Sequence, residues 1–300
     1  MVDYFYGMHW MLTTPFLPNE EIDYNSIPKI VGQAKKSGCT GVVGLGVMGE
    51  AVRLTDAERT KVAEAIVSAA DRLPVTLGTT ANSTKAVIDR SIEAENLGSA
   101  AIMVSAPSMQ NASTDNLFAH FARLAEKISI PIVMQDYPQV SGVKMPVSFI
   151  TRVAKEIPQV KYLKLEDPPT PSKISSIRNR ISDRLGIFGG LGGVFLLDEL
   201  RRGAIGAMTG FAYPEMLVAV VALHLSGQHD QAEDIFDAYL PYVRHEQQPG
   251  FGLALRKEIL YRRGIIASPQ VRAPGPILNE TDHKELDRLI RRIEQNVEAL

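Results

Sequence analysis

The sequence predicts an α/β fold, a (β/α)₈ TIM barrel followed by a C-terminal helical extension. Short apolar runs alternate with longer stretches whose apolar residues have helical spacing. Eight such runs can be counted, and only helical patterns follow the eighth. Because eight strand–helix units close into a barrel, we expect the barrel over residues 1–228. The extension over residues 229–300 should pack on it.

The predicted strands are the apolar runs Gly7–Thr13, Gly41–Gly46, Val75–Thr79, Ala100–Ser105, Ile130–Gln135, Val160–Leu165, Gly186–Gly189 and Ile205–Met208. Helical spacing between and after them occurs at Thr55–Ala70, Ser83–Leu97, Thr114–Lys127, Pro146–Glu156, Pro214–Leu225, Gln231–Val243, Leu253–Arg263 and Asp282–Val297. Thr55 and Thr114 offer capping oxygens, each followed by an acidic residue that suits a helix start. Pro146 suits a first helical turn.

An open doubly wound sheet is the competing architecture. Gly44-Leu45-Gly46 with Gly49 superficially matches the glycine pattern of dinucleotide-binding turns. That pattern belongs after the first strand, whereas here it follows the second. The sequence therefore favours the barrel.

Composition excludes several classes of function. The chain has 300 residues, a formal net charge of −2 and one cysteine, Cys39. The sequence has no excess of basic residues that would predict nucleic-acid binding. It also has no apolar run that approaches the ~20 residues needed to span a bilayer. Met1–His9 lacks a secretory pattern, so we expect a cytoplasmic protein without membrane or nucleic-acid partners. The six histidines are scattered, and no metal site is predicted.

The sixth strand carries the most informative residue, Lys164. Strands of a parallel sheet are normally apolar on both faces. Alternation places Lys164 and Glu166 on one face, opposite two leucines, so Lys164 should point into the barrel. A buried amine loses its proton more easily and attacks carbonyl groups. The alternative is a solvated lysine at a strand end, paired with Glu166 or Asp167.

Two further strand ends are candidates for substrate contact. The second strand ends in Gly46–Glu50, where glycines allow close backbone approach and exposed N–H groups suit a carboxylate. A tight turn is the alternative interpretation of those glycines. The fifth strand ends in Gln135, Asp136 and Tyr137; we expect Gln135 to face inward as a hydrogen-bonding residue.

Together these motifs resemble the dihydrodipicolinate synthase / N-acetylneuraminate lyase superfamily over nearly the whole chain. The matching segments occur in order at Thr13–Phe16, Gly46–Glu50, Gly78–Asn82, Ala106–Pro107, Lys164, Gly189–Gly190 and Gly206–Gly210. The resemblance implies that Lys164 forms a Schiff base with a pyruvate-like 2-oxo acid, without a cofactor. It assigns substrate binding to Gly46, Val47, Met48, Gly49, Glu50, Gly190, Thr209 and, in the extension, His245.

The sequence departs from the synthases of that superfamily at their proton relay. Val47 and Met48 stand in place of two hydroxyl residues, Gln135 replaces the catalytic tyrosine, and Ser108 and Met109 replace paired tyrosines. A general acid or base contributes about 10²–10⁴ in rate, so these losses disfavour lysine biosynthesis.

Other segments resemble the 2-keto-3-deoxyarabonate dehydratase-like branch, which also lacks the tyrosine. They are Met134–Asp136, Tyr162–Glu166, Gly206–Gly210 and Leu240–Gln247. The loop after the second strand does not match that branch, so the substrate stays open. With the relay absent, we assign catalysis to Lys164 with Glu166, Gln135 and Tyr137, and Asp136 and His245 remain further candidates for proton transfer.

The expected function is therefore a Schiff-base lyase of a small 2-oxo acid, a dehydratase of a 2-keto-3-deoxy sugar acid or a related hydroxylated acid. A pyruvate-dependent aldolase resembling dihydrodipicolinate synthase is one alternative. A non-catalytic 2-oxo acid binding protein is another. The resemblance also implies a homotetramer, a dimer of dimers, in which Met109 contacts the partner's site.

Overall fold

The computed structural model describes residues 5–108 and 113–300. Met109, predicted to contact a partner subunit, lies outside the described residues. Within the described ranges, no helix combines the length and the apolar character that crossing a bilayer requires.

Eight parallel strands close into a barrel in sequence order, with β8 pairing β1, as predicted. They are β1 (Gly7–Met11), β2 (Gly41–Gly44), β3 (Val75–Gly78), β4 (Ala101–Ser105), β5 (Ile132–Asp136), β6 (Val160–Leu165), β7 (Gly186–Gly189) and β8 (Gly206–Thr209). β2 ends two residues earlier than predicted because Leu45 takes a left-handed conformation with φ 57°.

The helices alternate with these strands and then continue alone. They are α1 (Ile27–Lys36), α2 (Asp56–Ala70), α3 (Thr84–Asn96), α4 (Thr114–Ala125), α5 (Pro138–Ser141), α6 (Val147–Glu156), α7 (Thr170–Ile181), α8 (Leu196–Arg201), α9 (Pro214–Leu225), α10 (His229–Glu246), α11 (Gly252–Arg262) and α12 (Glu280–Glu298). Thr55 caps α2 through a capping box, as expected. At α4 the cap is Ser113, one residue before the predicted Thr114, and Pro146 immediately precedes α6 instead of lying in its first turn.

Side chains alternate along each strand between two apolar cores. The outward set packs under the helices, and Leu163 and Leu165 of β6 belong to it. The inward set fills the barrel and comprises Phe5, Met11, Val43, Ala101, Met103, Val133, Tyr162, Phe188 and Met208. This plug, against which His9 is also buried, closes the middle of the barrel, and the candidate site lies beyond it at the carboxyl ends of the strands.

The helices of the extension pack on the barrel and on one another. α10 lies against α9 of the barrel, and α11 and α12 contact α10 in turn. Tyr242, Leu255 and Leu286 are fully buried in these contacts. The extension therefore shares the outer core of the barrel instead of forming a tethered tail.

Candidate active site

Lys164 points into the barrel, as the strand alternation predicts. Lys161 on the same strand is exposed, whereas Lys164 is only 4% exposed. Its Nζ lies 3.0 Å from Oε2 of Glu166, which is equally buried. The alternative of a solvated ion pair is therefore wrong. Asp167 pairs with Lys173 instead, with 2.8 Å between Nζ and Oδ2.

A chain of hydrogen bonds fixes Glu166 beside the lysine. Gln135 and Lys164 are register partners on β5 and β6, and Ser105 is the partner of Gln135 on β4. Ser105 Oγ donates to Gln135 Oε1 at 2.9 Å, and Gln135 Nε2 donates to Glu166 Oε2 at 2.7 Å. Gln135 thus faces inward, as expected, and orients the Glu166 carboxylate that contacts Lys164 Nζ.

The loop after β7 covers the other side of Glu166. A Cβ atom on Gly190 would lie 2.3 Å from Glu166 Cγ, so only glycine lets the backbone approach so closely. Thr209, at the end of β8, accepts a hydrogen bond from the Gly192 N–H at 2.8 Å. Gly190 and Thr209 are therefore brought to the site, where they shape the wall around Glu166.

The loop after β2 forms a 3-10 turn over Val47–Gly49. Gly46 packs on β1, since a Cβ there would lie 2.3 Å from Met11 Cε. Thr14 Oγ1 donates to the Gly49 carbonyl at 2.7 Å. Within the described residues, the N–H groups of Val47 and Met48 have no hydrogen-bond acceptor. Two donors are therefore available where the sequence predicts a carboxylate site.

Glu50, the last residue of that predicted site, directs its carboxylate away from the cavity. Oε1 accepts from Lys257 Nζ at 2.5 Å, and Oε2 accepts from Arg53 Nη1 at 2.8 Å and from the Arg272 N–H at 3.1 Å. Its predicted substrate contact is thus not made by the carboxylate, because three donors of the protein already occupy it. Sequence reasoning missed Lys257, because it lies between Arg256 and Glu258 in α11 and no local pattern marks it as a buried lysine.

Tyr137 and His245 have different surroundings. Tyr137 follows β5 and is half-buried; burial and the nearby Glu166 carboxylate raise the pKa of its phenol. His245 lies in a separate groove between α10 and α12, where Arg244 and Arg288 also line the walls. The structure therefore brings Tyr137 near the lysine cluster but does not bring His245 there, because α10 turns that side chain toward α12.

A cavity of about 400 Å³ opens beside this cluster, under the loops that follow β2 to β5. Gly46, Val47, Ser105 and Gln135 line it, mostly with other uncharged side chains. Among the described residues its lining contains two cations, Arg59 and Arg90, and both are already bound to the protein. Arg59 donates to the carbonyls of Ala51 and Gly78, and Arg90 donates to the Thr80 carbonyl and to Asp56, all at 2.8–3.1 Å.

A second lysine–carboxylate cluster lies on the outer face of the same strands. Lys173 Nζ lies 2.5 Å from Asp136 Oδ2 and 2.8 Å from Asp167 Oδ2, and it also donates to the Met145 carbonyl. Burial raises the pKa of Asp136 to about 6 although Lys173 opposes this. Asp136 therefore faces α7 and not the cavity, which removes it from the candidates for proton transfer at Lys164.

A further buried carboxyl, Glu199 of α8, lies behind β7. Thr170 Oγ1 donates to its Oε1 at 2.5 Å, and its Oε2 has no partner among the described residues. A Cβ on Gly189 would overlap that oxygen. Burial raises the pKa of Glu199 to about 7.

In residues 5–108 and 113–300, no three metal-ligating side chains of His, Cys, Asp or Glu come together.

Comparison with known proteins gives a consistent set of relatives. Residues 4–293 match the model of the dihydrodipicolinate synthetase family. The chain is 31% identical over 293 residues to L-2-keto-3-deoxyarabonate dehydratase of Azospirillum brasilense, covering 96% of this chain and 94% of that one. It is 29% identical to 4-hydroxy-tetrahydrodipicolinate synthase of Parabacteroides distasonis, and the match covers 78% of this chain and 79% of that one. A crystal structure of dihydrodipicolinate synthase from Rhodopseudomonas palustris superposes with a TM-score of 0.92 at 35% identity, covering 97% and 99% of the chains.

Proposed function

The chain belongs to the dihydrodipicolinate synthetase family and is a lyase of that family, and we propose that it acts on a small 2-oxo acid through an imine on Lys164. The observation that carries this proposal is the buried contact of 3.0 Å between Lys164 Nζ and Glu166 Oε2 at the carboxyl end of the barrel. The Glu166 carboxylate is close enough to remove a proton from the Lys164 amine, and the adjoining cavity can hold the substrate.

Glu166 serves in this mechanism as the base for each proton transfer. It takes the ammonium proton from Lys164, and the neutral amine attacks C2 of the oxo acid. The proton then returns to the carbinolamine hydroxyl, which leaves as water and gives a protonated imine. Gln135 keeps Oε2 aligned throughout through its hydrogen bond of 2.7 Å. Because the imine withdraws electrons, the protons on C3 become acidic enough for Glu166 to remove one.

The resulting enamine supports water loss when C4 carries a hydroxyl. Electrons move from the enamine to expel that hydroxyl, and protonated Glu166 supplies the proton with which it leaves as water. Hydrolysis of the remaining imine releases the unsaturated 2-oxo acid and restores Lys164. One water is lost overall, since the water released on imine formation is consumed by hydrolysis.

The substrate carboxylate is assigned to the loop after β2. The N–H groups of Val47 and Met48 supply donors there, while Gly46 and Gly49 let the backbone pack closely. The side chains of Val47 and Met48 add no hydroxyl group, so we propose binding through the backbone alone.

Dehydration of a 2-keto-3-deoxy sugar acid is favoured by two observations. The relative from Azospirillum brasilense carries the name of such a dehydratase. The cavity beyond the lysine offers Ser105, Ser108, Thr80 and Asn82, whose hydroxyl and amide groups suit a hydroxylated tail. Both of its arginines already bind the protein, so a second anionic group would find no free cation among the described residues of its lining.

Two alternatives share this site. A pyruvate-dependent aldolase would form the same enamine and join or split a carbon–carbon bond, and the name of the Parabacteroides relative supports it. A non-catalytic 2-oxo acid binding protein would retain binding without turnover, and the absence of the synthases' tyrosine at Gln135 motivates it.

Trapping with borohydride tests the proposal. The protein is incubated with pyruvate, reduced, digested and mapped by mass; we expect the adduct on the peptide that contains Lys164. Lys161→Met is the matched control, because this lysine lies on the same strand but is exposed. An unmodified Lys164 with pyruvate and with longer 2-oxo acids would exclude the mechanism.

Product analysis then separates the alternatives. Loss of one water from a 2-keto-3-deoxy sugar acid at an unchanged carbon count identifies the dehydratase. Release of pyruvate identifies the aldolase. An adduct on Lys164 without turnover of any candidate acid identifies the binding protein.

Assembly and location are also proposals. By the family resemblance we propose a homotetramer, a dimer of dimers. The single cysteine, which fits a reducing compartment, supports our proposal of a cytoplasmic location. Light scattering at micromolar concentration tests the assembly, and a monomer mass would contradict it. Cell fractionation tests the location.

A further inference from the structure

The extension inserts a fully buried lysine beneath the loop after β2. Lys257, on α11, donates to Glu50 Oε1 at 2.5 Å and to the Gln270 carbonyl at 2.8 Å. Its ammonium also lies over the ring of Phe16, 4.4 Å from the centroid. A charge buried this deeply needs a charged partner, and within residues 5–108 and 113–300 the only carboxylate that it contacts is Glu50.

Glu50 itself has an unusual backbone conformation. Its φ of 53° and ψ of 31° lie in the left-handed region, which costs a non-glycine residue free energy. Such a conformation persists only when surrounding contacts enforce it. Here the side chain accepts from Lys257, from Arg53 and from the Arg272 N–H. The three donors therefore hold the end of the loop in this conformation.

The strained residue directly follows the 3-10 turn that presents the free N–H groups of Val47 and Met48. On the opposite side Thr14 holds the carbonyl of Gly49. The turn is thus fixed from the loop after β1 on one side and from the extension on the other. If the Glu50 contacts were removed, the backbone would relax toward an ordinary conformation, and the two N–H groups would lose their fixed direction.

We propose that Lys257 is a positioning residue, which holds Glu50 and thereby aims the N–H groups of Val47 and Met48 at the substrate carboxylate. This inference rests on the proposed function, because it assigns the carboxylate to that loop. It makes the extension a part of the binding site although none of its side chains touches the substrate.

The test measures imine formation against substrate concentration in the full chain. For Lys257→Met and for the double variant Glu50→Gln/Lys257→Met, the concentration of pyruvate that gives half-maximal borohydride adduct should rise roughly tenfold to a hundredfold. The adduct at saturation should still reach one per chain, because Lys164 and Glu166 are unchanged. Lys257→Arg keeps the charge and should restore much of the affinity.

A matched control separates positioning from stability. Arg263, directly after α11, forms an ion pair with Glu215 of α9, with 2.6 Å between Nη2 and Oε1. This pair also joins the extension to the barrel, but it does not involve the loop after β2. Arg263→Met/Glu215→Gln should lower the melting temperature and leave the half-maximal pyruvate concentration unchanged. If Lys257→Met does not fold, Arg53→Met carries the test, since it removes another donor to Glu50 and should raise that concentration several-fold.

The outcomes are distinct. An adduct in the wild type with an unchanged half-maximal concentration in the folded variants would overturn the positioning role alone. Absence of any adduct in the wild type would overturn the imine mechanism, and the positioning proposal with it. A selective rise in the variants of Glu50, Arg53 and Lys257 supports the proposal.

Discussion

Two lysine–carboxylate clusters lie back to back on β5 and β6. The inner cluster joins Lys164 to Glu166 at 3.0 Å, and the outer cluster joins Lys173 to Asp136 at 2.5 Å. Both are largely buried, and both contain groups that would suit acid–base chemistry. They differ in access: the inner cluster adjoins the cavity through Gln135, whereas α7 and the Met145 carbonyl enclose the outer one. Burial and pairing of charges therefore do not by themselves identify a catalytic site.

The strongest way to test this comparison is to remove each lysine in turn. Lys164→Arg should abolish the adduct and lower turnover at least about 10⁴-fold, because a guanidinium stays protonated and cannot form the imine. Borohydride trapping and steady-state rates measure this. Equal losses in Lys173→Met would contradict the contrast between the clusters.

The next effect concerns the inner carboxylate alone. Glu166→Gln keeps the side-chain shape but removes the base, so turnover should fall about 10²–10⁴-fold. The adduct with pyruvate should still form, although more slowly. Pre-steady-state trapping and turnover assays separate these steps; wild-type turnover in this variant would assign proton transfer to another group, and Tyr137 is then the next candidate.

The outer cluster should affect stability instead of chemistry. Lys173→Met leaves Asp136 buried without its cation, which should cost about 3–5 kcal/mol in the free energy of unfolding. Urea titration measures this loss. In the folded variant, the yield of the Lys164 adduct should match the wild type, and Lys173→Met/Asp136→Asn should recover part of the stability.

The smallest effect comes from Glu199, a buried carboxyl that belongs to neither cluster. Its pKa is about 7 in the folded protein against 4.5 for an ordinary glutamate. Between pH 4.5 and pH 7, Glu199 is ionised in the unfolded chain but stays protonated in the folded protein. The free energy of unfolding therefore falls as the pH rises through this range. The difference amounts to about 3 kcal/mol between pH 4 and pH 8.

Glu199→Gln removes this contribution. Relative to the variant, the wild type should become about 3 kcal/mol less stable across that interval. Unfolding curves at several pH values give the comparison. A constant difference between the two proteins would mean that Glu199 ionises normally in the folded state.

Local rules predicted much of the fold and the inner cluster. Strand alternation placed Lys164 and Glu166 on one face because a period of two depends only on neighbouring residues. On the fifth strand it left either Gln135 or Asp136 facing inward, and Gln135 was favoured as the hydrogen-bonding residue. Partners that come from distant segments could not be predicted in this way. Glu50 was assigned to substrate, whereas Lys257, 207 residues later, occupies its carboxylate. His245 matched a motif in the extension, but the packing of α10 on α12 decides where it points.

The separation of Glu50 and Lys257 also has a consequence for synthesis of the chain. At about 5–20 residues per second, the ribosome adds Lys257 roughly 10–40 s after Glu50. For most of that interval the turn after β2 has already left the ribosome, while the charge that holds it does not yet exist. A nascent barrel can thus assemble its strands before the extension supplies the charge that, in our proposal, orients the substrate-binding turn.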